Sequence, residues 1–458
     1  MILKRKTKIV SLLIILIFVL SGTITTARMI EKTDNKNVTI ENKDWTIIYY
    51  LCGDLDGYSS WLEPIIKNLT EIKSDENINI VVLYDDYGDS NTYIYYIDEE
   101  GNKEIVNGEF NFPDEIDSGS PIAFELFCTQ AIINYPAKNY CVIPVMSGGT
   151  GWQLICFHDS EGGRGMSMPV FRATLANIYE NTNTKIDILY TSCAMNMIEV
   201  AYEIKDFVNY IVGTQDCLAN QNLVGRFYKA LLDLKNNSKL SPEEFASKAP
   251  DRLEPLEFYY QEEYNGGLPW LNKKLNNLRN EKLHSVKYYE STAVINTSNI
   301  VLLKRSIDNL AKYLILTINN KSIRNDIKKS LDDTKKYGKC MSKFRILSKI
   351  HNRYHFEFLA FNSNIDLHHF AENLKKNTDN NHIKNLCHAL MYKNNLSISS
   401  IKKVLDKECN GISIYFPPSK SYYNRHSIRP SDSCHYEDLK FSIESSWDEF
   451  IRLYLKIK

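Results

Sequence analysis

Five short apolar runs constrain what this chain can fold into. "DWTIIYYLCG" from Asp44, "INIVVLYDD" from Ile78, "NYCVIPVM" from Asn139, "KIDILY" from Lys185 and "VNYIVGT" from Val208 are dense in β-branched and aromatic residues. Such runs read as strands buried on both faces. Between them the apolar residues recur at helical spacing. "SSWLEPIIKNLTEI" is a helix capped at Ser59 or Ser60; "SPIAFELFCTQAIINY" is a helix with Ser120 as N-cap and Pro121 at its first position. "MPVFRATLANIYEN" is a third, and Met197, Val200, Ala201 and Ile204 mark a fourth. "NTYIYYID" from Asn91 reads as a β-ribbon element. Strands alternating with helices specify an α/β fold, a mostly parallel sheet covered on both faces. From about Asn236 the pattern turns mostly helical, beginning with a capping box at Ser241 and Glu244 in "LSPEEFASKA". One late strand (411–416), within "GISIYFP", precedes a final helix, "SSWDEFIRLYL". The expected division is an α/β core over 45–235 and a helical C-terminal part over 236–458.

The N-terminus carries an address. Lys4, Arg5, Lys6 and Lys8 precede an apolar run, Ile9–Leu20, and then small polar residues. That is the layout of a signal peptide, residues 1–27, cleaved after Ala27 and followed by a polar linker, 28–44. The run is short for a membrane span, which needs roughly 20 apolar residues; the alternative is an uncleaved anchor, the sole membrane contact expected. The chain therefore reads as secreted or held at the cell surface. Without the four n-region basics, 51 basic residues face 56 acidic ones. This balance offers no electrostatic footprint for nucleic acid. Ten cysteines would suit a disulfide framework in an exported protein, but no CxxC pair exists, and Cys52, Cys128, Cys141 and Cys156 lie inside apolar runs. Most of them read as buried thiols, and a C-terminal pair such as Cys409 with Cys434 stays open.

Two loops follow strands that are neighbours in the alternating order, and sequential strands usually pair. One is Ser147–Trp152, "SGGTGW"; the other is Thr191–Met195, "TSCAM". Glycines let backbone N–H groups approach a ligand, as an oxyanion hole requires, though a bare tight turn would also use them. No Gly-Lys-Ser/Thr follows, so this is not a P-loop, and there is no GxGxxG fingerprint. Cys193 stands at the carboxyl end of a strand and at the first turn of the helix expected from Ala194. Open α/β folds place ligands there, and a helix dipole lowers a thiol's pKa there. A nucleophile and a buried thiol are both consistent with that stretch alone.

The succession "WTIIYYLCGDLD", "INIVVLYDD", "VIPVMSGGTGWQLICFHDS", "DILYTSCAMNMIEVAYEIKD", "GISIYFP" and "WDEFIRLY" resembles the clostripain family of cysteine peptidases, relatives of the caspases, legumains and gingipains. The resemblance runs from Trp45 to about Leu455 in the family's order. It implies a caspase-like α/β/α sandwich and hydrolysis of peptide bonds after Arg or Lys by a Cys–His dyad. Peptides or proteins are then the partners. The family's nucleophile lands on Cys193, an oxyanion N–H on Gly148, and substrate-binding positions on Thr191 and Trp152. No cofactor is implied; calcium assists some members. Family maturation cuts after a basic residue in the loop between the dyad positions, where "HDSEGGRGMSM" offers Arg164.

Two positions depart from the family pattern. The histidine of "HGxGW" is Ser147, and the acid that holds a basic P1 side chain is Thr191. A hydroxyl cannot take a proton near neutral pH as an imidazole can. His158, at the end of "LICFH", is the nearest candidate for a substitute base. His351 and His355 have the i, i+4 spacing of a zinc pair but no third ligand, so no metal site is assigned. His368 and His369 read as structural residues on a helix, and the acidic loops "GDLDG" and "YDDYGD" as solvated turns. The expected function is an exported clostripain-like endopeptidase homologue with weak or lost activity. Its alternatives are a pseudopeptidase that binds peptide or protein, and a surface-attached interaction protein.

Overall fold

All five apolar runs enter one sheet. In chain order the computed structural model places β1 at Lys43–Cys52, α1 at Ser59–Ile72, β2 at Ile78–Asp85, β3 at Thr92–Ile97, β4 at Lys103–Ile105, α2 at Pro121–Asn134, β5 at Ala137–Val145, α3 at Met168–Thr182, β6 at Ile186–Tyr190, α4 at Ile198–Ile204 and β7 at Val208–Thr214. There follow α5 (Asn220–Asn236), α6 (Pro242–Asp251), β8 (Thr292–Asn296), α7 (Ile300–Thr317), α8 (Lys321–Asp333), β9 (Lys336–Tyr337), β10 (Asn364–Asp366), α9 (Leu367–Asn377), α10 (Asn381–Asn394), β11 (Ile398–Ile401), β12 (Ser413–Tyr415), α11 (Lys420–His426), α12 (Lys440–Glu444) and α13 (Trp447–Leu455). The structure describes residues 42–54, 59–145, 151–155, 165–191, 194–216, 220–251, 256–257, 287–288, 292–337, 363–394, 398–401, 409–426 and 434–457.

Among the described residues the main sheet has nine strands, in the order β11-β8-β7-β6-β5-β1-β2-β3-β4. Its centre, β7 through β2, is parallel; β3, β8 and β11 pair antiparallel at the flanks. Pleating sends alternate side chains of β1 to opposite faces. Ile47, Tyr49 and Leu51 pack with α1, α5 and α6 through residues such as Leu62, Phe227 and Phe245. Ile48, Tyr50 and Cys52 pack with α2, α3 and α4 through Phe124, Phe171 and Val200. This is the three-layer sandwich the alternation requires.

Local signals act as read. Ser120 holds an extended N-cap conformation before Pro121. Ser241 N donates to Glu244 Oε2 at 2.8 Å while Glu244 N donates to Ser241 Oγ at 3.3 Å, the reciprocal capping box. At the amino edge of the sheet, buried Asp44 accepts from Lys138 and Lys239 at 2.9 Å and from Ser238 Oγ at 2.6 Å. Burial pushes its pKa up, but these bonds outweigh it and hold the carboxyl well below the usual range.

The second half is mostly helical as expected, but the expectation of a single late strand in it is corrected. β8 and β11 extend the main sheet, and β9, β10 and β12 form a second, three-stranded antiparallel sheet. Short apolar runs such as "TAVIN" carry too few residues for periodicity to separate strand from helix. The open pairing of Cys409 with Cys434 is corrected too: both are buried thiols. Cys434 Sγ donates to Trp152 O at 3.7 Å and Gln153 O at 3.6 Å. Among the described residues no helix is long and apolar enough to cross a membrane; the signal-like segment lies outside them.

Candidate active site

Strands β5 and β6 are parallel neighbours, with Cys141 opposite Ile188 and Val142 opposite Leu189. Their carboxyl ends, Val145 and Tyr190, therefore lie on one edge of the sheet, and the chain leaves them into the two loops singled out above. Ser147, Gly148, Cys193, His158 and Arg164 themselves lie outside the described residues, as do His351 and His355.

The segments flanking them are held by backbone and side-chain hydrogen bonds. After β6 the chain follows β7: Thr191 N donates to Val212 O at 2.8 Å, Asn196 N to Thr214 O at 3.0 Å and Ala194 N to Asp216 O at 3.0 Å. Ala194 adopts φ +56°, an uncommon left-handed conformation for a residue with a side chain. Asn196 pins this turn to two strands at once, its Nδ2 donating to Gly213 O at 2.8 Å and Ala293 O at 3.1 Å. Its own carbonyl accepts from Ser413 N at 2.9 Å, which fastens β12 to the same turn. On the other loop, Gly151 has φ +74°, and a Cβ there would lie 2.6 Å from Met197 Sδ and 3.3 Å from Ala194 O. The end of the Gly-rich loop thus rests on the segment that follows Cys193. Only glycine permits that approach.

Two sequence candidates land where solvent does not reach. Thr191 is buried, and its Oγ1 donates to Val212 O at 3.2 Å. Trp152 is fully buried, edge-on to Tyr415 and Tyr436 with ring centroids 5.1 Å away in both cases. Both side chains therefore brace the rim from within. A further correction concerns the helix. α4 begins at Ile198, with Met197 as its N-cap, so the helix does not start at the turn bearing Cys193. A macrodipole acts within about one turn of its helix end, so it lends position 193 little.

Sequence reasoning missed two acids on α4. Every residue of this helix is buried, its two acids included. The two glutamates of "IEVAYEI" were the available signal, since buried charges demand partners. Glu199 Oε1 accepts from Tyr415 N at 2.9 Å and Tyr436 OH at 2.8 Å. Burial pushes its pKa up to about 7. Glu203 pairs with Arg172 of α3 at 2.5 Å, and burial raises its pKa as well. Also unforeseen was Asp366, a fully buried carboxylate. It accepts from Gln215 Nε2, Tyr337 OH, His369 N, Asn410 N and Asn410 Nδ2 at 2.7–3.1 Å. It ties the loop after β7 to the second sheet. Among the described residues no group of three or more His, Cys, Asp or Glu could hold a metal ion.

Comparison with known proteins agrees with this architecture. No curated protein matches the chain. The chain is similar to a secreted C11 cysteine protease from Bacteroides thetaiotaomicron, solved with an irreversible peptide inhibitor, at 16% identity and a TM-score of 0.55, covering 89% of this chain and 99% of that one. It is also similar to an inactive zymogen C11 protease from Parabacteroides distasonis, at 14% identity and a TM-score of 0.57, covering 88% and 98%. At such identities the likeness is one of fold. The sequence model of the clostripain family matches residues 49–454, from the first central strand to the last helix, and the chain belongs to that family of cysteine peptidases.

Proposed function

We propose that this protein is an exported homologue of the clostripain-type cysteine endopeptidases in which peptide-bond hydrolysis is weak or lost, and whose rim binds peptide or protein. One observation carries the reading. The segment that follows β5 carries Ser147 where the family resemblance calls for the histidine of the dyad. General-base assistance is worth roughly 10²–10⁴-fold in rate. Without it, a thiol of ordinary pKa near ~8.5 is only a few per cent thiolate at neutral pH. Thr191 points the same way, because its hydroxyl is engaged with Val212 O and carries no charge for a substrate cation. Export is supported by the signal-like N-terminus and by the description of the Bacteroides relative as secreted.

The test is a pair of measurements on the exported chain: hydrolysis of Arg- and Lys-containing peptides, and labelling of Cys193 by a peptidyl reagent with lysine at P1. The expected result is slow labelling and no turnover above a Cys193→Ala control. Turnover at rates typical of enzymes, roughly 1–10³ per second, rejects the reading. His158 would then be the first residue to examine as the base.

A further inference from the structure

Glu199 and Trp152 share a sealed compartment behind the rim. Trp152 closes the Gly-rich loop, and Glu199 lies on the helix that follows the Cys193 turn. Both are fully buried, and both meet the same two tyrosines. Tyr415 belongs to β12, whose neighbour Ser413 is fastened to Asn196. Tyr436 lies two residues past Cys434, whose thiol bonds the carbonyls of Trp152 and Gln153. Two polar atoms in this compartment, Glu199 Oε2 and Trp152 Nε1, have no hydrogen-bond partner among the described residues.

We infer that Glu199 is a positioning residue that, through Tyr415 and Tyr436, holds the segment following Cys193 against the end of the Gly-rich loop at Trp152. The inference rests on reading that rim as the peptide site. An ionised carboxylate here would leave Oε2 charged, buried and undonated, which burial disfavours. None of the groups acting on Glu199 is a cation. It faces the phenols of Tyr415 and Tyr436, with Asp448 of α13 behind them. The nearby cations on packed helices are committed elsewhere: Arg172 of α3 to Glu203, and Lys304 of α7 to the Tyr202 ring, 5.8 Å from its centroid. With a folded pKa of about 7, raised by burial, the neutral acid dominates below that pH and is lost as pH rises through it.

Two reagents separate positioning from bulk stability. Iodoacetamide needs only an accessible thiol at Cys193, whereas an alanyl-alanyl-alanine chloromethyl ketone also needs the shape of the site. Mass spectrometry of the Cys193 peptide gives the ratio of the two rates, from which the thiol's own titration cancels. In the parent chain the ratio should fall severalfold between about pH 6 and pH 8.5, as Glu199 ionises. Glu199→Gln keeps the shape of the neutral acid and should hold the low-pH ratio throughout. Glu199→Ala should lower the ratio about tenfold or more at both pH values, the scale of a misplaced site. If all three chains give the same ratio and profile, the inference is overturned while the peptide site stands. If Cys193 takes iodoacetamide but never the peptide reagent in the parent, the peptide site falls and the inference falls with it.

Discussion

A methyl group on Gly213 would sit 2.1 Å from Thr191 Oγ1 and 2.6 Å from Asn196 Oδ1. At this position of β7 the absence of a side chain is what lets the Cys193 turn lie against the sheet. Thr191 and Asn196 fill the space a Cβ would take, and each bonds a carbonyl of the same strand, Val212 O and Gly213 O. Gly213→Ala should therefore displace the turn and destabilise the fold by about 1–3 kcal/mol, the usual cost of overpacking a filled interior. Thr191→Ala removes the closer of the two atoms, so the double variant should lose less than the sum of the singles. Coupling of about 0.5 kcal/mol or more is expected for such contacts. Urea denaturation of the four chains measures it. Strict additivity would mean that the two residues do not compete for this space.

At the scale of elements, the C-terminal half acts as a clamp on the rim. Asp366 at the end of β10 gathers donors from Gln215, Tyr337, His369 and Asn410, and Gln215 Oε1 in turn accepts from Gly411 N at 2.7 Å. Asp366→Asn turns one acceptor oxygen into a donor facing donors, so it should cost about 3 kcal/mol. Faster amide exchange around Asn196 and Gln215 should accompany that loss; unchanged exchange there would reduce Asp366 to local support of β10. None of this clamp was legible in the sequence, because its partners lie far apart along the chain and no periodic pattern joins them. The central strands were legible, since β1, β2, β5, β6 and β7 announce themselves through runs of apolar residues, and Pro121 and the Ser241–Glu244 box mark helix starts by local chemistry. β8 and β11 were not, being short strands whose place is set by pairing with β7 and with each other. The start of α4 was misplaced for a similar reason. Ala194–Asn196 has helical composition, but its backbone hydrogen bonds go to β7 and its extension. Thr191 and Trp152 were found as important positions, while their burial, and hence their bracing role, depended on contacts from β7, Tyr415 and Tyr436.

Taken as a whole molecule, the chain keeps the fold of its family, and the proposed function turns on two chemical changes within it. The parallel strands β5, β6 and β7 still deliver two loops to one edge, and the second sheet still holds them there. In the function proposed above, the two changes act at different steps: Ser147 in place of the family histidine would leave the nucleophile without a base, and Thr191 would leave a basic P1 side chain without a counter-charge. Ser147→His alone should raise Cys193 reactivity toward iodoacetamide by roughly 10²-fold or more at neutral pH, without preference for basic peptides. Adding Thr191→Asp should bring cleavage after Arg or Lys, abolished by Cys193→Ala. The second change carries a cost that the surroundings define. Val212 O accepts from the Thr191 hydroxyl, and an aspartate held in that rotamer would set a carboxylate against a carbonyl. The aspartate should therefore turn toward the cleft, and the double variant should be less stable than Ser147→His by about 1–3 kcal/mol. A double variant that remains inert, although folded and alkylated at Cys193 as fast as Ser147→His, would show that the loss of activity lies outside these two positions.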